Sequence, residues 1–224
     1  YYEILTKNKS DNVTYSKEVS NKFNYRNPNF EDYIKSIDWL IDKGYQVVKC
    51  GVGKSKVSYR KNGFYDLTSF EKNYNELLHI YLCTISKFHI IGSCGHLYLS
   101  WAFNKSTILT HDYEVPESHL VETFSVPSKY FHKGMNRYLK YSEFPIFLNR
   151  QIPIENPITI EHPTPEEIFI SVKYLCDKKF NLKSFSKEDK ELYNELTKKY
   201  KYLSDQPLLP FCFSWAKKYK NLIS

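Results

Sequence analysis

The sequence predicts an α/β domain with a mainly parallel, Rossmann-like sheet and flanking helices, followed by a helical or irregular C-terminal extension. Two observations predict it: apolar helical stripes alternate with short β-branched strands up to Thr110, and a strand ending at Gly92 leads directly into a helix. Such alternation indicates parallel strands joined by crossover helices. We expect residues 1–24 to be a loop segment, 25–180 the Rossmann-like domain, and 181–224 an extension packing on it.

The first helix–strand unit follows Asn27-Pro28-Asn29, a helix start with carboxylates in the first turn. Gly44 is expected to end the helix, and residues 45–50 form a strand. A second short strand is expected near residues 64–67. The predicted apolar stripe of this helix comprises Tyr33, Ile34, Ile37, Leu40 and Ile41.

The second unit comprises a helix over 76–86, a strand over 87–92, a helix over 97–103 and a strand over 106–110. The helix over 76–86 carries Leu77, Leu78, Tyr81, Leu82 and Ile85 on one side.

Beyond residue 110 the pattern decays into a Pro-, Tyr- and Phe-rich stretch, and we expect a long loop over 111–157. Thr164-Pro165 with Glu167 then predicts a helix start with a capping box, with the apolar stripe Ile168, Val172 and Leu175. A charged helix is expected over 186–203. The tail over 207–224 carries Leu208, Phe211, Phe213 and Trp215 and is expected to pack on the core.

Composition narrows the class of protein. The net charge is +7, with a basic excess in the last third that fits either a solvated helix surface or an anionic partner. Five cysteines without a C-x-x-C pair favour free thiols in a reducing compartment. No apolar run reaches membrane-spanning length. The chain opens without Met, and Met135 is its only one, so we expect a fragment or processed product.

The turn from Gly92 through Ser93, Cys94 and Gly95 to His96 is the first candidate site. A strand, a glycine turn and a helix bring backbone N–H groups together, which suits an anionic group such as phosphate. Two interpretations stay open: the glycines serve an anion, or they only allow a tight connection. His96 likewise fits a base, a phosphate contact, or a capping role.

Gly51-Val52-Gly53-Lys54-Ser55 resembles the end of a phosphate-binding P-loop, but Val48 stands where its first glycine belongs. Lys54 therefore fits an ordinary turn near a ligand better than an NTPase loop. The sequence identifies no paired catalytic carboxylates, although loop acids follow the strand at 106–110: Asp112, Glu114 and Glu117. The seven histidines show no metal-ligand spacing, and we expect neither metal nor cofactor.

Several segments resemble a bacterial glycosyltransferase family whose members carry Tyr-Arg-Asn, an amphipathic helix and a strand ending in Arg-Met-Gly. The matching segments here are Tyr25-Arg26-Asn27, Tyr33-Ile34-x-x-Ile37, Lys43-Gly44-Tyr45-x-Val47-Val48 and Gly51. Asp66, the run from Glu76 to Gly92, and Leu97, Phe103 and Leu109-Thr110 resemble that family's later helix, glycine turn and strand, and Pro165-Glu166-Glu167-Ile168 resembles its late helix opener. The resemblance spans roughly residues 25–175.

The resemblance implies the donor-binding half of a GT-B-like enzyme, which transfers a sugar from a nucleotide-sugar to a glycan, such as a cell-envelope polysaccharide. It implies Gly92, Ser93, Cys94 and Gly95 around the donor diphosphate, and Arg26 and Gly51 near the cleft. A cationic group, Arg26 or Lys54, would neutralise the leaving diphosphate. The implied location is the cytoplasm, including the inner face of the membrane, and no nucleic-acid partner is expected.

Two departures from the family pattern leave an alternative open. Lys49-Cys50 replaces the family's Arg-Met, and Cys94-Gly95-His96 replaces its Ser-Gly pair. The alternative is a non-catalytic nucleotide- or glycan-binding module that keeps the fold.

Overall fold

The computed structural model describes residues 28–51, 57–69, 76–92, 94–111, 123–140, 143, 157–176, 186–199 and 212–223. A 3-10 turn over Phe30–Tyr33 leads into the first helix. The helices are α1 Ile34–Asp42, α2 Glu76–Ile85, α3 His96–Ala102, α4 Pro165–Cys176, α5 Lys187–Lys199, α6 Phe213–Lys218 and α7 Lys220–Ile223. Among them, none is both long and apolar enough to cross a membrane.

The strands are β1 Val47–Lys49, β2 Phe64–Asp66, β3 Phe88–Gly92, β4 Ser106–Thr110, β5 Thr123–Val126, β6 Lys129–His132, β7 Arg137–Tyr138 and β8 Ile158–Glu161. β1 and β2 pair in parallel, and β3, β4 and β5 form a second parallel sheet in that order. The third sheet is antiparallel, in the order β7-β6-β8. The protein is therefore mixed α/β with parallel sheets, as predicted at that level.

The prediction of a structureless loop over 111–157 is wrong. This stretch contains β5, β6 and β7, because Phe124 and Val126 are buried beside β4 and Tyr130 is buried on β6. These strands are only two to four residues long, and each is stabilised by a partner elsewhere in the chain. So short a strand has no internal periodicity from which to predict it.

Helix α1 follows the prediction closely. Ile37 and Leu40 are buried, and Gly44 has φ +85° just beyond the helix, with its amide donating to the carbonyl of Ile41. A left-handed residue in this place satisfies a terminal carbonyl, which is why glycine favours it. The chain then enters β1, and the rings of Tyr45 and Phe88 pack edge to face at 6.0 Å between centroids.

Helix α2 presents the opposite face from the one predicted to pack. Leu77, Tyr81 and Ile85 are exposed, as is Leu78, whereas His79 and Cys83 are each only 6% exposed. The apolar residues outnumber the polar ones on this helix, so apolar count alone does not identify its buried face. The buried face is the one on which His79 stacks on His96 of α3.

The main core joins both ends of the described chain. Residues of α1, β4, β5 and α4 pack with residues of α5, α6 and α7 in one apolar cluster. Ile168, Val172 and Leu175 are buried as predicted, and so are Phe213 and Trp215 of the tail; Leu208 and Phe211 lie outside the described residues. The cluster includes Leu40, Ile108, Tyr193 and Leu196.

The predicted capping box at the start of α4 is confirmed. The amide of Glu167 donates to Thr164 Oγ1 at 3.3 Å, and the Thr164 amide donates to Glu167 Oε2 at 3.0 Å. The other oxygen of the same buried carboxylate accepts from Lys218 Nζ at 2.7 Å and from the Tyr219 hydroxyl at 2.6 Å. Glu167 therefore joins the N-terminus of α4 to the chain's last described helices.

Candidate functional site

Polar side chains gather where the parallel strands β3, β4 and β5 end. In the register of the sheet Gly92 lies opposite Thr110, so the residues after both are brought to one edge. Ligands of open α/β sheets bind at this carboxyl edge. The side chains that meet here, called the strand-end cluster below, are Asp32, Tyr33, Thr110, His111 and His162.

Tyr33 connects the 3-10 turn before α1 to the end of β4. Its hydroxyl lies 2.5 Å from Thr110 Oγ1 and 3.3 Å from His111 Nδ1, and Thr110 Oγ1 donates to the carbonyl of Ile91 at 3.2 Å. Because the Thr110 hydroxyl donates to the carbonyl of Ile91, Tyr33 must donate to Thr110. The hydroxyl of Tyr33 then accepts from His111 Nδ1–H. Burial raises the pKa of Tyr33, so the phenol is neutral and can donate.

This assignment leaves His111 Nε2 as an acceptor. The atom is buried with no hydrogen-bond partner among the described residues, and Asp32 Oδ2 lies 3.8 Å from it. His111 has φ +55°, a backbone conformation that costs energy for a residue with a side chain. Burial, with a smaller effect from His162, lowers the pKa of His111 to about 4, so its ring is neutral.

The second histidine of the cluster is His162, which contacts the ring of His111. His162 lies between β8 and α4, with its ring centroid 4.8 Å from that of His111, and its Nδ1 is 3.1 Å from Ser128 Oγ just after β5. Burial lowers the pKa of His162, although Asp32 opposes this. Burial also raises the pKa of Asp32, whose side chain keeps 25% exposure. Asp32 thus supplies a partly exposed carboxyl group to a cluster whose other side chains are buried or half-buried.

The glycine turn lies beside this cluster. Gly92 ends β3, Cys94 and Gly95 are exposed, and the Cys94 thiol is close enough to Tyr33 to raise the pKa of its phenol. The Leu97 amide donates to the carbonyl of Cys94 at 3.1 Å and the Tyr98 amide to that of Gly95 at 3.2 Å. The surrounding protein raises the pKa of the Cys94 thiol, and the amides of His96 and Leu97 oppose this. The carbonyls of Cys94 and Gly95 are therefore occupied by amides of the first turn of α3.

The remaining predicted residues are not brought into the cluster. His96 turns towards α2, where its ring stacks on His79 with 4.1 Å between centroids. Gly51 has φ +147° after β1, and a Cβ there would lie 3.7 Å from Thr68 Cγ2 after β2. Arg26, Lys54 and Ser93 lie outside the described residues, as do the loop acids Asp112, Glu114 and Glu117.

Sequence reasoning passed over most of the cluster. A signal for Thr110 and His111 was available, because they end the strand after the glycine turn and parallel strands align their ends. From the sequence alone, Asp32 is explained by its place in the first turn of a helix. The spacing of His162 from the other histidines indicates no site.

Comparisons with protein-family models, with curated proteins and with solved structures gave no match.

Proposed function

We propose that the chain is the donor-binding half of a glycosyltransferase that transfers a sugar from a nucleotide-sugar to a glycan, with a Rossmann-like sheet holding the donor. The observation that carries the proposal is the strand-end cluster, in which partly exposed Asp32 lies beside half-buried Tyr33 and buried His111 at the carboxyl edge of parallel strands. The glycan class is that of cell-envelope polysaccharides, which places the reaction at the inner face of the membrane.

The residues have distinct roles in this proposal. Asp32 accepts hydrogen bonds from sugar or ribose hydroxyls, because its carboxyl group is the accessible acceptor of the cluster. Tyr33 and His111 hold the segment carrying Asp32 against the end of β4. Gly92, Cys94 and Gly95 form the adjacent wall, where the absence of side chains at the glycines lets a diphosphate approach the backbone.

A second candidate is a non-catalytic nucleotide- or glycan-binding module. Two observations favour it: the carbonyls of Cys94 and Gly95 accept from amides of α3, and His96 is directed at His79. Such a module would bind a donor or glycan at the strand-end cluster without transferring a sugar.

Thermal unfolding with a panel of UDP-, GDP-, CMP- and ADP-sugars tests the binding step. We expect one nucleotide class to raise the melting temperature, and Asp32→Asn and Gly92→Asp to abolish that rise. Asp42→Asn is the matched control, because its carboxylate is exposed at the far end of α1. Stabilisation that survives Asp32→Asn, or none by any nucleotide-sugar, contradicts the proposed donor site.

Catalysis is tested separately from binding. With the stabilising donor and a polysaccharide acceptor, we expect release of the nucleoside phosphate together with labelled glycan. Binding without release, or binding of glycan alone, supports the non-catalytic module.

A further inference from the structure

The buried face of α2 carries two metal-ligating side chains. His79 and Cys83 are four residues apart, so they lie on one face of the helix, and both are 6% exposed. His96, the first residue of α3, brings a third group to them. One donor atom from each residue lies within 4.8 Å of the others, and the described residues hold no other such group of three.

The rotation of α2 about its axis is unusual for a helix with an apolar stripe. It directs a histidine and a cysteine inward while Leu77, Tyr81 and Ile85 are 73%, 58% and 58% exposed. Burial of apolar surface would favour the opposite rotation. Apolar packing alone therefore does not account for the inward position of His79 and Cys83.

The three donors fit one small ion. A tetrahedral centre with bonds of about 2.0–2.3 Å places its ligand atoms roughly 3.3–3.8 Å apart, within the span seen here. Nε2 of His79 and Nε2 of His96 are in direct contact, and because both rings are neutral that contact holds one proton between two lone pairs. Metal binding would require these two Nε2 atoms to separate to ligand spacing, and the His96 side chain is only partly buried.

Metal binding at these three residues would release one proton. Neutral imidazoles bind metal without first losing a proton. The Cys83 thiol would become a metal-bound thiolate and release its proton to solvent.

A hydrogen-bonded bridge fixes the backbone of two of the three residues. His89 Nε2 lies 2.5 Å from Ser86 Oγ, which donates to the carbonyl of Cys83 at 2.9 Å. On its other side, His89 Nδ1 lies 2.6 Å from Ser100 Oγ, which contacts the carbonyl of His96 at 3.4 Å. Groups outside the ligand set that hold the ligands in place are a regular feature of metal sites.

We propose that His79, Cys83 and His96 form a zinc-class transition-metal site that ties α2 to the glycine turn after β3, with water in the fourth position. Two imidazoles and a thiolate suit Zn²⁺ and Co²⁺, whereas Mg²⁺ and Ca²⁺ prefer oxygen ligands. The site does not depend on sugar transfer, and its test uses no nucleotide.

Cobalt titration of the chelator-treated full chain tests the proposal. We expect one Co²⁺ per chain to produce a thiolate-to-cobalt charge-transfer band in the near ultraviolet, which Zn²⁺ abolishes and excess Mg²⁺ leaves unchanged. Cys83→Ser is expected to lose the band. His79→Gln and His96→Gln are expected to weaken Co²⁺ binding by about tenfold or more.

Control variants test which sulfur atom and which ring nitrogens bind the metal. Cys94→Ser, two residues from His96, and Cys176→Ser on α4 are expected to keep the band, as is His132→Gln on β6. Circular dichroism checks that each variant is folded. If Cys83→Ser does not fold, His96→Gln still tests the site, because His96 is only partly buried and its substitution disturbs the fold less. A folded wild-type chain without the band, or a band lost with Cys94→Ser and kept with Cys83→Ser, overturns the proposal.

Discussion

The hydroxyl of Tyr33 lies 2.5 Å from Oγ1 of Thr110, so the turn before α1 is bound to the last residue of β4 across 77 positions of sequence. The same hydroxyl reaches His111 Nδ1 at 3.3 Å. The bond fixes the position of Asp32 relative to the carboxyl edge of the parallel sheet.

Removing that hydroxyl should destabilise the fold. Tyr33→Phe leaves the ring in place but takes the partner from buried Thr110 and His111, and we expect a loss of about 1–2 kcal/mol in the free energy of unfolding. Urea unfolding followed by circular dichroism measures it. Tyr65→Phe is the control, since Tyr65 is 47% exposed, and an equal loss in both variants would contradict the role given to Tyr33.

The strand-end histidine should make stability depend on pH. The pKa of folded His111 is lowered to about 4, below the unfolded value of about 6.5, so its contribution is complete above about pH 6.5 and disappears as the pH falls through 4. The loss is on the order of 3 kcal/mol. His111→Asn, in which asparagine tolerates the positive φ, should make the unfolding free energy fall less steeply between pH 7 and 4 than in the wild type. Parallel curves for wild type and variant would refute this.

Glu167 should contribute to acid sensitivity at lower pH. Burial alone would raise its pKa, but hydrogen bonds from Lys218, Tyr219 and Thr164 hold the pKa below the usual value. A carboxylate with a lowered folded pKa stabilises the protein above its unfolded pKa of about 4.3, and this contribution disappears as the pH falls through the folded value.

Glu167→Gln tests this contribution. We expect a loss of about 2–3 kcal/mol at pH 7, because the charge-assisted bonds are weakened inside the core. Below the folded pKa the difference from wild type should shrink. Glu195→Gln, on the exposed side of α5, should leave both the stability and its pH dependence unchanged.

Two glycines with positive φ form a matched pair. A Cβ added at Gly44 has no heavy atom within 4 Å. Gly44→Ala should therefore lower the free energy of unfolding by about 1 kcal/mol, the cost of a positive φ for alanine. Gly63→Ala adds a methyl group 3.2 Å from Ile41 Cγ2 and should cost more. Comparison of the two denaturation midpoints isolates the contact with α1, and equal losses would show that Ile41 yields freely.

Local rules predicted the parts of the fold that are locally determined. The capping box at Thr164 and Glu167 and the glycine after α1 both depend on neighbours a few residues away. The inward face of α2 and the strands β5 to β7 depend on partners distant in sequence. Apolar periodicity identified α2 as a helix but could not tell which of its sides is buried.

The candidate site divides along the same line. Gly92 and the turn after it were found because a strand, glycines and a helix follow one another in the chain. Tyr33, His111 and His162 come together only through strand register and the packing of α4 against α1. His79 and Cys83 lie one helical turn apart, but the spacing of the histidines predicted no metal site, and His96 joins the pair only through the turn between β3 and α3.

Because the strand-end cluster draws on positions 32 to 162, it exists only when the first helix, the parallel sheet and the segment before α4 are assembled together. A small molecule bound there would have no comparable affinity for the unfolded chain and would shift the folding equilibrium by mass action. Binding would therefore slow proteolysis and amide hydrogen exchange wherever these require global unfolding, including at residues far from the bound molecule.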